Sequence, residues 1–163
     1  MTKTWNGSAG VCINDKGEVL LVRGYNSTKW AIPSGGIEED ETPEACCVRE
    51  MMEETGYPVK ILKKLKIKTT VVKGYDVCIH YFLVAVNGSP KPVNDPDQLV
   101  EEAAWFSFDE LSILDHQYPE DLPFLTSLYD EIEKSLEVIH LKCIKLLKRE
   151  FGLPQFVLKR ASL

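Results

Sequence analysis

The 163-residue chain has little of what a membrane, secreted or nucleic-acid-coating protein needs. No run approaches the ~18 consecutive apolar residues of a membrane-spanning helix. The start, Met1-Thr2-Lys3-Thr4-Trp5-Asn6-Gly7, has no apolar stretch of the kind a secretory leader carries, so no signal peptide is expected. Cysteine is sparse and odd in number: Cys12, Cys46, Cys47, Cys78 and Cys143, with no C-x-x-C pair. That argues against a disulfide framework and for free, mostly packed thiols in a reducing cytoplasm. Positive charge is also short, with 19 Lys and Arg against 25 Asp and Glu and a net charge of −6. A chain so charged lacks the basic surface on which a nucleic-acid polymer binds. A phosphate-bearing small ligand stays open, because a divalent cation can supply the missing positive charge. No internal repeat or low-complexity segment is present.

What is there suits one soluble domain with a single core: 44% hydrophobic and 27% charged residues over a length ordinary for one domain. Ser8 to Ile13 and Glu18 to Arg23 read as strands around an Asn14-Asp15-Lys16-Gly17 turn, a hairpin pattern. Thr42 to Thr55 reads as a helix. Thr42 is a good N-cap, Pro43 suits the first helical position, and Gly56 is a natural stop with Pro58 beyond. Ala45, Val48 and Met52 recur on one face as its apolar stripe. Ile61 to Val72 and Tyr75 to Val86 are β-type runs joined at Lys73-Gly74, a second hairpin. Ala103 to Ser107 is a short strand, and Phe108 to Leu111 starts a short helix. From Phe124 to Glu150 there is no Gly or Pro, and Leu125, Leu128, Ile132, Leu136, Ile139, Cys143 and Leu146 recur at three or four. This predicts an amphipathic helix of ~27 residues, ended by Gly152 and Pro154. The expected organisation is a domain over 1–118 and a helical extension over 119–163 packed on that domain, capping its core or offering a homodimer face.

The chemistry concentrates in Gly35 to Tyr57, GGIEEDETPEACCVREMMEETGY. At ~100° per residue, Glu53 and Glu54 flank Glu50 on one helix face, opposite the apolar stripe. Three clustered carboxylates suit a hard divalent cation, which takes oxygen ligands. Arg49 is placed to pair with neighbouring carboxylates and fix their rotamers. The glycine loop before the helix lets backbone approach closely and can offer a carbonyl ligand. A solvated acidic face is the ordinary reading of E-x-x-E-E, and the longer spacing is what sets this segment apart.

That spacing, G-x5-E-x7-R-E-U-x-E-E-x-G-U with U bulky and apolar, resembles the Nudix box of the MutT/Nudix family. Gly35, Glu41, Arg49-Glu50, Met51, Glu53-Glu54 and Gly56 fill its positions, and Tyr57 stands where an aliphatic residue is usual. Trp30-x-x-Pro33-x-Gly35-Gly36 and Glu102-x-x-Trp105 follow the family's order, so the resemblance covers roughly residues 5–115. Ser34 replaces a glycine common in the family. The resemblance implies an α/β fold, a Nudix-type α/β/α sandwich around a mixed sheet, here with a C-terminal helical extension. It implies a Mg²⁺-dependent (Mn²⁺ possible) pyrophosphohydrolase cleaving the diphosphate linkage of a nucleoside diphosphate derivative, with a nucleoside triphosphate as default substrate. Metal would be held by the Gly35 carbonyl, Glu50, Glu53 and Glu54. Glu53 would orient or deprotonate the attacking water, or a later glutamate, Glu101 or Glu102, would do so. Arg49 would orient the glutamates and Glu41 support the loop–helix junction. Alternatives are a catalytically weak nucleotide-sensing module and diphosphate isomerase chemistry, for which no catalytic cysteine can be placed.

Several residues carry two readings. Trp30 and Tyr25, just before the glycine loop, either stack on a nucleobase or pack in the core. Cys46 and Cys47 read as packing, since soft-metal ligation does not suit a site of hard carboxylates. His80 reads as a histidine inside the sheet rather than a catalytic one. Tyr75, 18 residues beyond Tyr57, resembles a tyrosine of some dinucleoside polyphosphate hydrolases in the family, whose approach to the box otherwise differs. Alternation puts Lys64, Lys66 and Lys68 on one strand face, either solvated or a phosphate-side wall.

Overall fold

A computed structural model describes residues 3–151. The stop expected at Gly152 and Pro154 lies outside the described residues. The chain falls into two compact units, 1–122 and 123–163.

The first unit holds two sheets. The strands β1 (Lys3–Cys12), β4 (Ser34–Gly36), β5 (Val59–Val72) and β6 (Tyr75–Val86) form a mixed sheet in the order β4-β1-β6-β5. β1 runs antiparallel to β4 and parallel to β6, and β5 and β6 form the expected hairpin. Its two-residue tip has positive φ at both Lys73 (50°) and Gly74 (81°), the twist that suits a tight hairpin. The strands β2 (Val19–Gly24), β3 (Trp30–Ala31) and β7 (Val100–Phe106) form an antiparallel sheet in the order β3-β2-β7. β7 starts three residues earlier than the apolar run suggests and so carries Glu101 and Glu102.

The hairpin expected between the first two strands is not formed. The turn is there, with the Asn14 side-chain oxygen accepting from the Lys16 and Glu18 amides. Past it, β1 and β2 share only the Ile13–Val19 bridge. β1 has β4 on one edge and β6 on the other, so β2 joins the second sheet.

Helix α1 (Pro43–Thr55) begins and ends as its caps dictate. The Thr42 hydroxyl accepts from the Ala45 amide at 3.1 Å, and the Gly56 amide donates to the Met52 carbonyl at 2.9 Å. Gly56 has φ 74°, and a Cβ there would stand 2.1 Å from the Lys91 carbonyl oxygen. Only glycine fits that stop.

The packing face of α1 is not the expected Ala45, Val48 and Met52 stripe. Cys46, Cys47, Met51 and Thr55 are buried, Val48 and Met52 are half-buried, and Ala45 is exposed. Cys47 and Met51 join Cys12, Leu20, Val59, Phe82 and Val84 in the core, with Val48 packed against it. Small thiols and a flexible thioether fill the close approach of helix to sheet. Burial of Met51 alone contributes roughly 1.5–3 kcal/mol.

Alternation gives the mixed sheet two distinct faces. Ser8 and Phe82 face α1, and the Ser8 hydroxyl donates to the Pro43 carbonyl at 2.7 Å. Trp5, Ala9, Ile79 and Tyr81 face the other way, lining a cavity of about 280 Å³ with Lys68, Ile32, Ser34, Tyr118 and Asp121. The lysine pattern is corrected here. Pairing on β5 shifts register at Leu62 and again at Leu65. Lys64 then sits opposite Phe82, while Lys66 sits opposite Tyr81. Each β-bulge adds a residue and flips the alternation, so Lys64 does not share a face with Lys66 and Lys68.

After β7, helix α2 (Phe108–Leu111) starts at a capping box made by Ser107 and Glu110. Helix α3 (Asp121–Phe151) is the long C-terminal helix, starting three residues before the expected Phe124. Leu125 and Leu128 are buried, and from Asp130 onward most described side chains are exposed. The fold class is thus α/β, a mixed sheet with helices and a C-terminal helix. Among the described residues, no helix is long and apolar enough to cross a membrane.

Candidate active site

The glycine strand β4 and helix α1 meet at Arg49. Its Nε and Nη2 donate to the two Glu41 carboxylate oxygens, each at 2.9 Å, a forked pairing that fixes both side chains. Nη2 also donates to the Gly36 carbonyl at 2.8 Å. Nη1 donates to Glu50 at 2.7 Å and to Glu53 at 3.0 Å. One guanidinium therefore ties the glycine loop, the junction glutamate and two helix glutamates together. The hydrogen bonds from Arg49 hold the Glu41 carboxyl down at about 2. The same bonds push the Arg49 guanidinium above its ordinary range.

The carboxylates do not form the solvated face that is ordinary for E-x-x-E-E: Glu50, Glu53 and Glu54 are all half-buried. The Glu50 side chain is 13% exposed and Glu53 26%. Burial pushes the Glu50 carboxyl up, against the opposing pull of Arg49. Glu54 lies deeper, and burial pushes its carboxyl up to about 8 even though its Oε2 accepts from the Ser34 amide at 2.9 Å. Asp97 adds to the upward push on Glu50, and Asp95 to that on Glu54. Neither aspartate was singled out from the sequence, since nothing in a Pro-rich loop signals which side chain the fold turns towards the helix. Asp95 spends its carboxylate on the Asp97, Leu99 and Val100 amides.

Half-buried carboxylates raised by desolvation suit a cation. Gly35 shows the same fit from the backbone side: a Cβ there would lie 2.0 Å from the Glu50 carboxylate, so only glycine lets the two approach. As they stand, Glu50 and Glu53 are turned onto Arg49 and Glu54 onto Ser34. Among the described residues, no three acidic, His or Cys side chains are gathered at metal-ligating spacing.

The remaining expected site residues lie elsewhere. Glu102 and Glu101 both pair with Arg23 at 2.7 Å. Trp30 is half-buried, its ring edge-on to Phe106 at 4.6 Å with the Arg23 guanidinium 5.6 Å from its face. Tyr25 is 58% exposed. Neither aromatic lines the 280 Å³ cavity. Cys46 and Cys47 are buried, and burial pushes their thiols up to about 11 and 12, as packed rather than reactive thiols. His80 is half-buried in β6, with Nδ1 unpartnered among the described residues. Tyr57, the departure from the box pattern, accepts a hydrogen bond from the Trp105 indole at 3.1 Å and packs edge-on to it.

The structure is thus an α/β domain in which an arginine-clamped glutamate helix stands behind a glycine strand of a mixed sheet. The chain matches the NUDIX domain over residues 4–128 and belongs to that family. It is 30% identical over 107 residues to a MutT-like protein of Streptomyces ambofaciens, covering 64% of each chain. It is 44% identical over 55 residues to an RNA pyrophosphohydrolase of Actinobacillus succinogenes, covering 34% of this chain and 28% of that one. The match thus spans less than two thirds of these curated relatives. Among solved structures, a NUDIX hydrolase from Nitrosomonas europaea superposes with a TM-score of 0.68 at 26% identity, over 79% of this chain and 90% of that one. A MutT protein from Methanosarcina mazei Go1 superposes with a TM-score of 0.65 over 82% of this chain and 99% of that one; at 23% identity it shows the fold alone.

Proposed function

We propose that the chain is a divalent-metal-dependent pyrophosphohydrolase cleaving the diphosphate linkage of a nucleoside diphosphate derivative, with a nucleoside triphosphate as first substrate. The observation that carries this reading is the Arg49 cluster: Glu41, Glu50 and Glu53 on one guanidinium, with Glu54 half-buried beside Ser34 and the glycine strand. Glu50, Glu53, Glu54 and the Gly35 carbonyl are the groups that would hold Mg²⁺ or Mn²⁺. When bound, the metal neutralises phosphate charge and lowers the pKa of the attacking water. To hold a metal, Glu50 and Glu53 would have to turn from Arg49, whose forked pairing with Glu41 would still fix the loop–helix junction. Glu53, the more exposed of the two, orients the water and accepts its proton. Glu102 is the second candidate base; it must first leave Arg23.

The cavity on the far sheet face supports a nucleotide rather than inorganic pyrophosphate. Ser34 joins the two places, its amide on Glu54 and its residue on the cavity wall. A base entering there meets Trp5 and Tyr81 and, at Asp121, a 3% exposed carboxyl whose Oδ1 is unpartnered among the described residues. Burial pushes that carboxyl up to about 6, so it is mostly neutral in mildly acid solution and can donate to a base edge. Trp30 and Tyr25, read from the sequence as nucleobase-stacking or packing residues, lie outside this cavity.

The test is phosphate or pyrophosphate release from a panel of nucleoside triphosphates, nucleotide sugars, dinucleoside polyphosphates and a 5′-triphosphorylated RNA, with and without Mg²⁺. Metal-dependent release from a mononucleotide supports the proposal. Preference for the RNA would reassign the substrate, and saturable nucleotide binding without product would replace the hydrolase by a sensing module.

A further inference from the structure

Strand β4 is an edge of the mixed sheet, and its residues serve both faces. Gly35 is paired with Ser8 and leaves room for the Glu50 carboxylate on the α1 face. Ser34 is paired with Ala9 and, like Ala9, lines the cavity on the other face. Alternation puts Gly36 on the same face as Ser34. The Trp5 indole lies over the Gly7–Gly36 pair: a Cβ on Gly7 would overlap the ring, and one on Gly36 would stand 3.5 Å from its Nε1. Trp5 is still 39% exposed, so the indole keeps open surface on which a base can stack. Ser34 stands one two-residue step along the strand from Gly36, ~6.6 Å at ~3.3 Å per residue.

Ser34 divides its polar groups between the two places. Its amide is spent on Glu54. Its hydroxyl has no hydrogen-bond partner among the described residues, and the residue is half-buried in the cavity wall. A hydroxyl both donates and accepts, which suits another hydroxyl. A base stacked on Trp5 and a diphosphate held at Glu50 and Glu54 would lie on opposite faces of β4. In a nucleotide the group that joins base to phosphate is the sugar. The sugar would therefore cross the sheet edge at Ser34.

We infer that Ser34 is a specificity-determining residue that reads the sugar, its hydroxyl forming a hydrogen bond with a sugar hydroxyl of the substrate. The inference rests on the proposed reading of the cavity as the nucleoside site. A site that hydrogen-bonds a substrate hydroxyl discriminates against the analogue lacking it, because its own polar group is then left unpaired. A ribose offers a 2′- and a 3′-hydroxyl, and analogues lacking one or the other tell which of them Ser34 holds.

The experiment compares kcat/KM of the full-length chain for ATP and GTP with that for their 2′-deoxy and 3′-deoxy analogues, in Mg²⁺. Binding of the matching nucleosides without metal, followed by tryptophan fluorescence, gives the same comparison independently of turnover. The wild type is expected to favour the ribose form over one of the two analogues by about tenfold. Ser34→Ala keeps the backbone amide for Glu54 and is expected to bring that ratio to within about twofold of one. Ser34→Thr restores a hydroxyl and is expected to restore most of the preference. A ratio is unmoved by a loss of folded protein, so misfolding cannot imitate the result. No preference in the wild type by either measurement, or a preference that Ser34→Ala leaves intact, overturns the inference. Turnover without a Ser34-dependent preference removes the sugar contact and keeps the hydrolase. A Ser34-dependent preference among nucleosides, with no triphosphate turned over, keeps the contact and removes the hydrolase.

Discussion

Two arginines in this chain each hold more than one glutamate, and the two clusters are not equivalent. Arg49 holds Glu41, Glu50 and Glu53 and also grips the Gly36 carbonyl, its glutamate partners 13–26% exposed. Arg23 holds Glu101 and Glu102, whose side chains are 41% and 50% exposed, along with the Ser27 carbonyl. In the first cluster the partners are desolvated, so charge has consequences: Glu41 is held low while Glu50 is pushed up. In the second, water screens the pairs, and such pairs contribute little. The same residue types thus make a desolvated cluster, the proposed reactive centre, in one place and a surface brace in the other, and burial decides which.

The largest effect that would sharpen this contrast is at Glu50. Glu50→Gln is expected to lower metal-dependent turnover by roughly 10²-fold or more while leaving a folded protein, read by kcat and circular dichroism. Arg49→Lys comes next. A lysine cannot fork onto Glu41 and reach Glu50 and Glu53 together, so turnover is expected to drop roughly 10–100-fold. Urea unfolding is expected to show a loss of about 1–3 kcal/mol from unsatisfied acceptors. The loss should not be rescued by raising Mg²⁺ if Arg49 fixes the Glu41 junction rather than occupying the metal's place.

A third effect is a pH dependence. Glu54 is raised to about 8 and Asp121 to about 6, both by burial. Each therefore binds its proton more tightly folded than unfolded, so unfolding releases protons between the ordinary carboxylate range and those values. Stability of the metal-free protein must then fall as pH rises through roughly 4 to 8. Thermal unfolding in EDTA at pH 5.5 and 8.5 measures this, and Glu54→Gln should flatten the dependence. Mg²⁺ should stabilise more at pH 8.5 than at pH 5.5, because binding must displace that proton. Glu41 acts with the opposite sign, its contribution being lost only as pH falls towards about 2. The smallest effect is at the second cluster, where Arg23→Ala is expected to change turnover by no more than about twofold.

Much of this was legible in the sequence where the signal is local. Thr42, Pro43 and Gly56 bound α1 because caps are short-range chemistry, and the spacing of Gly35, Glu41, Arg49, Glu50, Glu53 and Glu54 marked the candidate site for the same reason. The sequence failed where distant segments compete. The Asn14 turn promised a hairpin, but β6 and β4 occupy the edges of β1. The bulges at Leu62 and Leu65 break an alternation that the lysines alone suggest is continuous. The burial of Cys46, Cys47 and Met51 in place of Ala45 reflects the shape of the sheet beneath, which no helical wheel contains. Asp95, Asp97 and Asp121 enter the picture only through folding, each isolated in sequence from the box.

The most direct test sets Glu53→Gln beside Glu102→Gln in one assay, kcat measured on the preferred nucleotide at saturating Mg²⁺. The account predicts a drop of roughly 10²–10⁴-fold for Glu53→Gln, the range for losing a general base, and a change within about twofold for Glu102→Gln. Full turnover in Glu53→Gln together with collapse in Glu102→Gln would contradict it, moving the base from the Arg49 cluster to the Arg23 cluster.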